Sequence, residues 1–130
     1  MDTGIPVIIF CILLAGLASF QLALAFGAPL GRFAWGGAHE RLPRSLRIGS
    51  LIAILIYAAF AVIALERAGL TDILPGDGIA AIGIWVIVTY LALGIVMNSI
   101  SRSKPERFVM TPLALALCLL SLWIALKPAG

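Results

Sequence analysis

The segment IPVIIFCILLAGLASFQLALAF, residues 5–26, contains no Asp, Glu, Lys, Arg or His. A helix of this length is about 33 Å long, enough to cross the roughly 30 Å hydrocarbon layer of a bilayer. Three further segments have the same character, at residues 48–65, 79–97 and 108–126. Backbone polar groups in lipid need internal partners, so each span is a helix unless the chain closes into a barrel. Barrel strands alternate apolar and polar residues, whereas these runs are continuously apolar. The chain is therefore expected to be all-α: a polytopic membrane protein forming one antiparallel four-transmembrane-helix bundle.

Composition agrees with that reading. The 130 residues are 62% apolar and 12% charged, against about 45–50% and 25% in soluble domains. The formal net charge of +3 is unevenly placed. Arg32, Arg41, Arg44 and Arg47 fall between the first two spans, and Arg102, Lys104 and Arg107 between the last two. Only Arg67 and Lys127 lie at the opposite ends of the spans, with Asp2, Glu66, Asp72 and Asp77. A seven-to-two bias of this kind places the basic loops in the cytoplasm and both termini outside it. Attraction to anionic headgroups explains the charge without a nucleic-acid partner.

The start, Met1-Asp2-Thr3-Gly4, lacks the basic region that opens a signal peptide, although Ala23-Leu24-Ala25 resembles a cleavage site. The first span is accordingly read as an uncleaved helix. Ala15, Ser19, Ala23, Gly27 and Gly31 recur every four residues along it, a small-residue stripe of the kind that lets membrane helices approach closely. Leu24 is expected on the lipid side. Gly27-Ala28-Pro29 should stop the helix, with glycine at the left-handed position and proline after it.

Residues 27–47 form the one extended stretch that is not simply hydrophobic, and an ordered loop is expected there. Trp35 should sit at headgroup depth, Gly36-Gly37 should turn the chain, and His39-Glu40-Arg41 should face water. His39 should lie near a backbone carbonyl or the polar helix end carrying Asn98. Ser45 is the expected cap of the second helix, although Arg47 in its first turn opposes the helix dipole. In the second helix Gly49, Ala53, Tyr57 and Ala61 share one stripe, placing Tyr57 in the interior. The fourth should begin after Pro105, with Ala114, Cys118, Ser121 and Ala125 on one face. Cys11 and Cys118 have no metal-site spacing and read as packing residues.

The candidate loop-binding residues are Arg32, Trp35, His39, Glu40, Arg41 and Arg44. Arginine forks suit phosphate oxygens, so a lipid-phosphate site is one reading of this group and topological anchoring the other. Gly27-x-x-x-Gly31 without a Lys-Ser/Thr pair is no P-loop. His39 beside Glu40 could support acid–base chemistry, but no recognisable nucleophile accompanies the pair, so no catalytic residue is assigned. No span contains a histidine for haem, and neither cofactor nor metal is expected. The polar residues Ser19, Gln21, Tyr57, Thr89, Tyr90 and Asn98 are candidates for helix packing or pore lining. The absence of ionisable residues from the apolar spans argues against a proton relay or a carrier of charged substrates.

The run GAPLGRFAWGGAHERLPRSLRIGS, residues 27–50, resembles a signature of the form GAPxGxxxWGGxHxxLPxxLRxGS found in a family of small four-span bacterial membrane proteins. It covers about a fifth of the chain. The resemblance implies a bacterial cytoplasmic membrane origin and a structured loop, and no activity. The expected function is that of a non-enzymatic integral membrane protein, an accessory subunit or a lipid- or partner-binding module using the loop. Its expected partners are anionic lipid headgroups and either further copies of itself or a larger membrane complex. The alternative is a small oligomeric channel or transporter for a neutral or weakly polar solute.

Overall fold

The computed structural model describes residues 4–76 and 78–127 and is all-helical, with no strand among them. Asp2 and Asp77, both counted in the charge balance, lie outside the described residues. Four helices, α1 (Gly4–Ala25), α2 (Arg44–Arg67), α3 (Gly78–Ser99) and α4 (Lys104–Leu126), are each long and apolar enough to span a membrane. Both α2 and α4 begin a full turn before their apolar runs, because Arg44–Arg47 and Lys104–Arg107 continue the helix as charged first turns.

Local chemistry sets the helix ends. At the end of α1, Gly27 has φ +92°. Its N–H donates to Leu24 O at 3.1 Å, and Ala28 N–H donates to Ala23 O at 3.0 Å. This is a Schellman closure, and only glycine takes the left-handed position without cost. The same device ends α2 at Gly69, φ +81°, with Leu70 N–H bonded to Leu65 O at 3.0 Å. The second helix does not start at Ser45: its cap position is Pro43, whose carbonyl accepts from Leu46 and Arg47 N–H at 3.0 Å each. Ser45 is exposed in the first turn. Arg47 turns its guanidinium back towards the loop, where Nε donates to Leu42 O at 2.7 Å. At α4, Ser103 is the cap and Pro105 lies within the first turn, where its missing N–H is harmless.

The helices pair most extensively as α1 with α2 and α3 with α4, and the two hairpins close on each other through α2–α3 and α1–α4. Val7, Phe10, Ile84, Ile87 and Ile124 are fully buried, and with Phe60 and Leu117 they fill the half of the bundle far from the basic loops. Gly83 lets α3 close on α2 there: a Cβ at that residue would lie 3.0 Å from Ile63. The α4 stripe is part of the inside, since Ala114, Ser121 and Ala125 are buried and Cys118 packs beside Val88 of α3.

The first part of the α1 stripe is not, although Ala23 and Gly27 are half-buried and Gly31 is buried. Ala15 and Ser19 are exposed on the outside of the bundle, and Leu24, expected to face lipid, is fully buried with Ala34 and Leu42. The reason is the loop. It folds back over the end of α1 and needs a large side chain beneath it, and Leu24 supplies that.

Two polar fastenings join the hairpins, one at each end. At the far end Arg67 of α2 donates through Nη2 to Lys127 O at 2.7 Å and Ala125 O at 3.2 Å, capping the carbonyl end of α4. The adjacent Glu66 organises the far loop, accepting from Thr71 Oγ1 at 2.6 Å, Ile73 N–H at 3.0 Å and Leu74 N–H at 3.2 Å. At the basic end the loop between α1 and α2 is fastened to the start of α4.

Candidate binding cavity

That loop is compact. Short 3₁₀ turns at Gly31–Phe33 and Trp35–Gly37 fold it, and Gly31 N–H closes it by donating to Glu40 O at 2.8 Å. The chain passes so close to Gly31 that a Cβ there would meet His39 O at 1.7 Å. Three successive residues take left-handed backbone: Trp35 at φ +52°, then Gly36 and Gly37 at +74°. Glycine adopts this conformation freely, whereas tryptophan does so at a cost of about 1–2 kcal/mol. The indole is held by its seat, because Gly49 of α2 leaves a hollow in which a Cβ would come within 2.9 Å of the ring.

The loop then meets α4. Ser103 donates its hydroxyl to Arg32 O, and Gly36 N–H donates to Glu106 Oε1 at 3.2 Å. Glu106 Oε1 also accepts from Ser101 Oγ, whose oxygen accepts in turn from Ser103 N–H at 3.2 Å. Ser103-x-x-Glu106 is a capping-box sequence in which the glutamate ordinarily reaches back to the cap N–H. Here Ser101 takes that N–H, and the carboxylate is released to hold the loop.

Glu106 is only 8% exposed, and no Lys or Arg forms an ion pair with it among the described residues. Beside it lies a cavity of about 540 Å³ in the basic half of the bundle, between all four helices and the loop. Phe20, Phe33, Trp35, Tyr57 and Tyr90 give it aromatic walls, and Gln21, Asn98 and Glu106 give it polar points. Ala53 and Gly94 make the room, a Cβ at Gly94 meeting nothing within 4 Å. Tyr90, Leu93 and Met97 line it while being 46%, 62% and 66% exposed, so the cavity opens sideways between α2 and α3. Tyr90 is steadied by an edge-on contact with Phe60, centroids 5.2 Å apart. The Gln21 Oε1 atom is buried and receives no hydrogen bond.

The candidate residues from the sequence therefore divide. Gln21, Tyr57, Tyr90 and Asn98 converge on the cavity, and Trp35 joins them from the loop. Ser19 and Thr89 point outward instead, each bonding the carbonyl four residues back, Ala15 O and Trp85 O, at 2.9 Å. A hydroxyl satisfied in this way needs no interior partner, so it can face lipid. Arg32, His39, Glu40 and Arg41 lie on the outer surface of the loop, and Arg44 is exposed in the first turn of α2. Arg32 stacks over Phe33, 4.9 Å from the ring centroid. The His39 side chain is exposed and, among the described residues, makes no hydrogen bond, to a helix end or otherwise. What residues 39 and 40 give the loop is their main chain.

Glu106, Phe20, Phe33 and Gly94 are cavity residues that the sequence reading did not single out. The signal for Glu106 was present in Ser103-Lys104-Pro105-Glu106, a capping box directly ahead of an apolar run. Among the described residues no group of three or more His, Cys, Asp or Glu is placed to hold a metal ion. Comparison of the chain with family models, with curated proteins and with solved structures gives no match to any of them.

Proposed function

We propose that the chain is a non-enzymatic binding module of the bacterial cytoplasmic membrane, with both termini outside, whose folded basic loop holds anionic lipid headgroups. The observation that carries this is the cap itself. Its hydrogen bonds to α4 fix a surface on which Arg32, Arg41 and Arg44 are exposed and, among the described residues, in no ion pair. Arginines left unpaired on a rigid surface keep their donors available for phosphate oxygens. A linker needed only for topology would require neither the closure at Gly31 nor the seat for Trp35.

A solute path through a single chain is opposed by the filled far half, where Phe10, Ile84, Ile87 and Ile124 are wholly buried. The channel reading consequently requires a path between copies.

The test is native mass spectrometry of the protein released from nanodiscs of mixed zwitterionic and anionic lipid. Retained anionic lipid is expected on the wild type and should be lost from the triple variant Arg32→Gln, Arg41→Gln, Arg44→Gln. At about 1 kcal/mol per basic residue, the triple change should weaken retention by about two orders of magnitude. Equal retention by both proteins would overturn the reading. Sidedness is tested in a Cys11→Ala, Cys118→Ala background. An impermeant maleimide should label Asp72→Cys from outside the cell and Arg102→Cys only after the cytoplasmic face is opened.

A further inference from the structure

We propose that the cavity between the four helices and the loop is a binding site for a lipophilic organic cation, with Glu106 as its counter-charge. The inference is independent of headgroup binding by the outer face of the loop. Three features carry it.

The first is an unmatched charge. Glu106 is nine-tenths buried, lines the cavity, and has no cationic partner among the described residues, while no Lys or Arg lines the cavity at all. Its Oε1 is occupied by Gly36 N–H and Ser101 Oγ, but Oε2 accepts no hydrogen bond among the described residues. An ionisable group at the edge of a membrane interior ordinarily has a partner, and here the space beside it is vacant.

The second is the wall chemistry. Five aromatic rings surround the space, and the faces of aromatic rings attract cations while repelling anions. An anionic lipid headgroup would meet a carboxylate in an aromatic-lined space with no basic residue in its wall, so the outer arginines and this cavity select opposite charges.

The third is access. The rim residues Tyr90, Leu93 and Met97 face lipid, so an apolar ion dissolved in the bilayer enters sideways without crossing the basic cap. A volume of about 540 Å³ is that of a small-molecule site.

Three ions and molecules of one shape test this: tetraphenylphosphonium, tetraphenylborate and neutral tetraphenylmethane. Trp35 reports from the cavity wall in a Trp85→Phe, Trp123→Phe protein in nanodiscs, with empty nanodiscs as the partition control. Saturable quenching by the phosphonium is expected, and none by the borate. Glu106→Gln should weaken phosphonium binding about tenfold or more, since a charge pair is lost from a desolvated site. Glutamine can still accept from Gly36 and Ser101, and an unchanged trypsin pattern in the loop would establish that the cap persists. Gly94→Leu fills the cavity without touching Glu106 and should abolish the quench. Equal binding of the borate or the neutral molecule would overturn the proposal. So would undiminished binding by Gly94→Leu, or by Glu106→Gln with an intact cap. Should Glu106→Gln loosen the cap, the discrimination between cation and anion in the wild type decides alone.

Discussion

Gly31 has its backbone against its neighbour's carbonyl, and this contact fixes how the loop can respond to substitution. A methyl group there would lie 1.7 Å from His39 O, so Gly31→Ala must break the closing bond from Gly31 N–H to Glu40 O. The expected cost is about 1–3 kcal/mol, the range for forcing an atom into a packed site. It should appear as a lower melting temperature and faster tryptic cleavage at Arg32 and Arg41. Gly16 is the control, on an exposed helical face with nothing within 4 Å of a Cβ. Gly16→Ala should be neutral or stabilising by up to about 1 kcal/mol. At this scale the sequence was half legible. Gly36-Gly37 announced a turn and Gly27 a helix stop, because those roles follow from local backbone preference. Gly31 read as part of a helical stripe, since a close approach by His39 depends on where the chain returns. Glu106 went unread for a related reason: its carboxylate serves a loop some seventy residues away.

The four helices were plain from hydropathy, but the direction each one faces was not. In water an amphipathic stripe marks the inside of a helix, whereas in lipid both surfaces of α1 and α3 are apolar and the stripe vanishes. Small residues were the remaining guide. They pointed correctly on α4, where Ala114, Ser121 and Ala125 are buried, and wrongly on α1, where Ala15 and Ser19 face out. Both helices pack broadly on a neighbour, but the basic end of α1 also packs beneath the cap, and it does so through Leu24 rather than Ser19. The packing prediction follows the structure. Leu24→Ala should lower stability in detergent by about 2–4 kcal/mol through the cavity it leaves. Ser19→Leu should change it by less than about 0.5 kcal/mol, as an exposed site remote from any contact. Thermal unfolding of the two variants distinguishes them, and equal losses would place Ser19 at a contact with another molecule.

For the whole molecule, the number and order of spans and the position of the folded loop could all be read in advance. The cavity could not, because it is built by all four helices and the loop together. Gln21, Tyr57, Tyr90 and Asn98 were visible as polar residues in apolar helices, and only the bundle brings them to one space. The two hairpins share one apolar core, but the loop that connects them is fastened to the first alone. Hydrogen bonds of the far loop run back to Glu66 within the first hairpin, so division of the chain after Gly76 severs none of them. What then joins the halves is the apolar seam, the cap on α4 and the grip of Arg67 on the end of α4.

Residues 1–76 and 77–130, produced as two polypeptides, should accordingly find each other in the membrane and copurify. Arg67→Met should have little effect on the intact chain, where the tether keeps the local concentration of one half near the other in the millimolar range. In the divided protein the same change should cut recovery of the complex several-fold, as measured by pull-down through a tag on one half. The fastenings at Arg67 and Glu106 thus hold the two halves together at opposite ends of the apolar seam. During synthesis the first hairpin must wait in the bilayer, its cap unlatched, until the second has been inserted beside it.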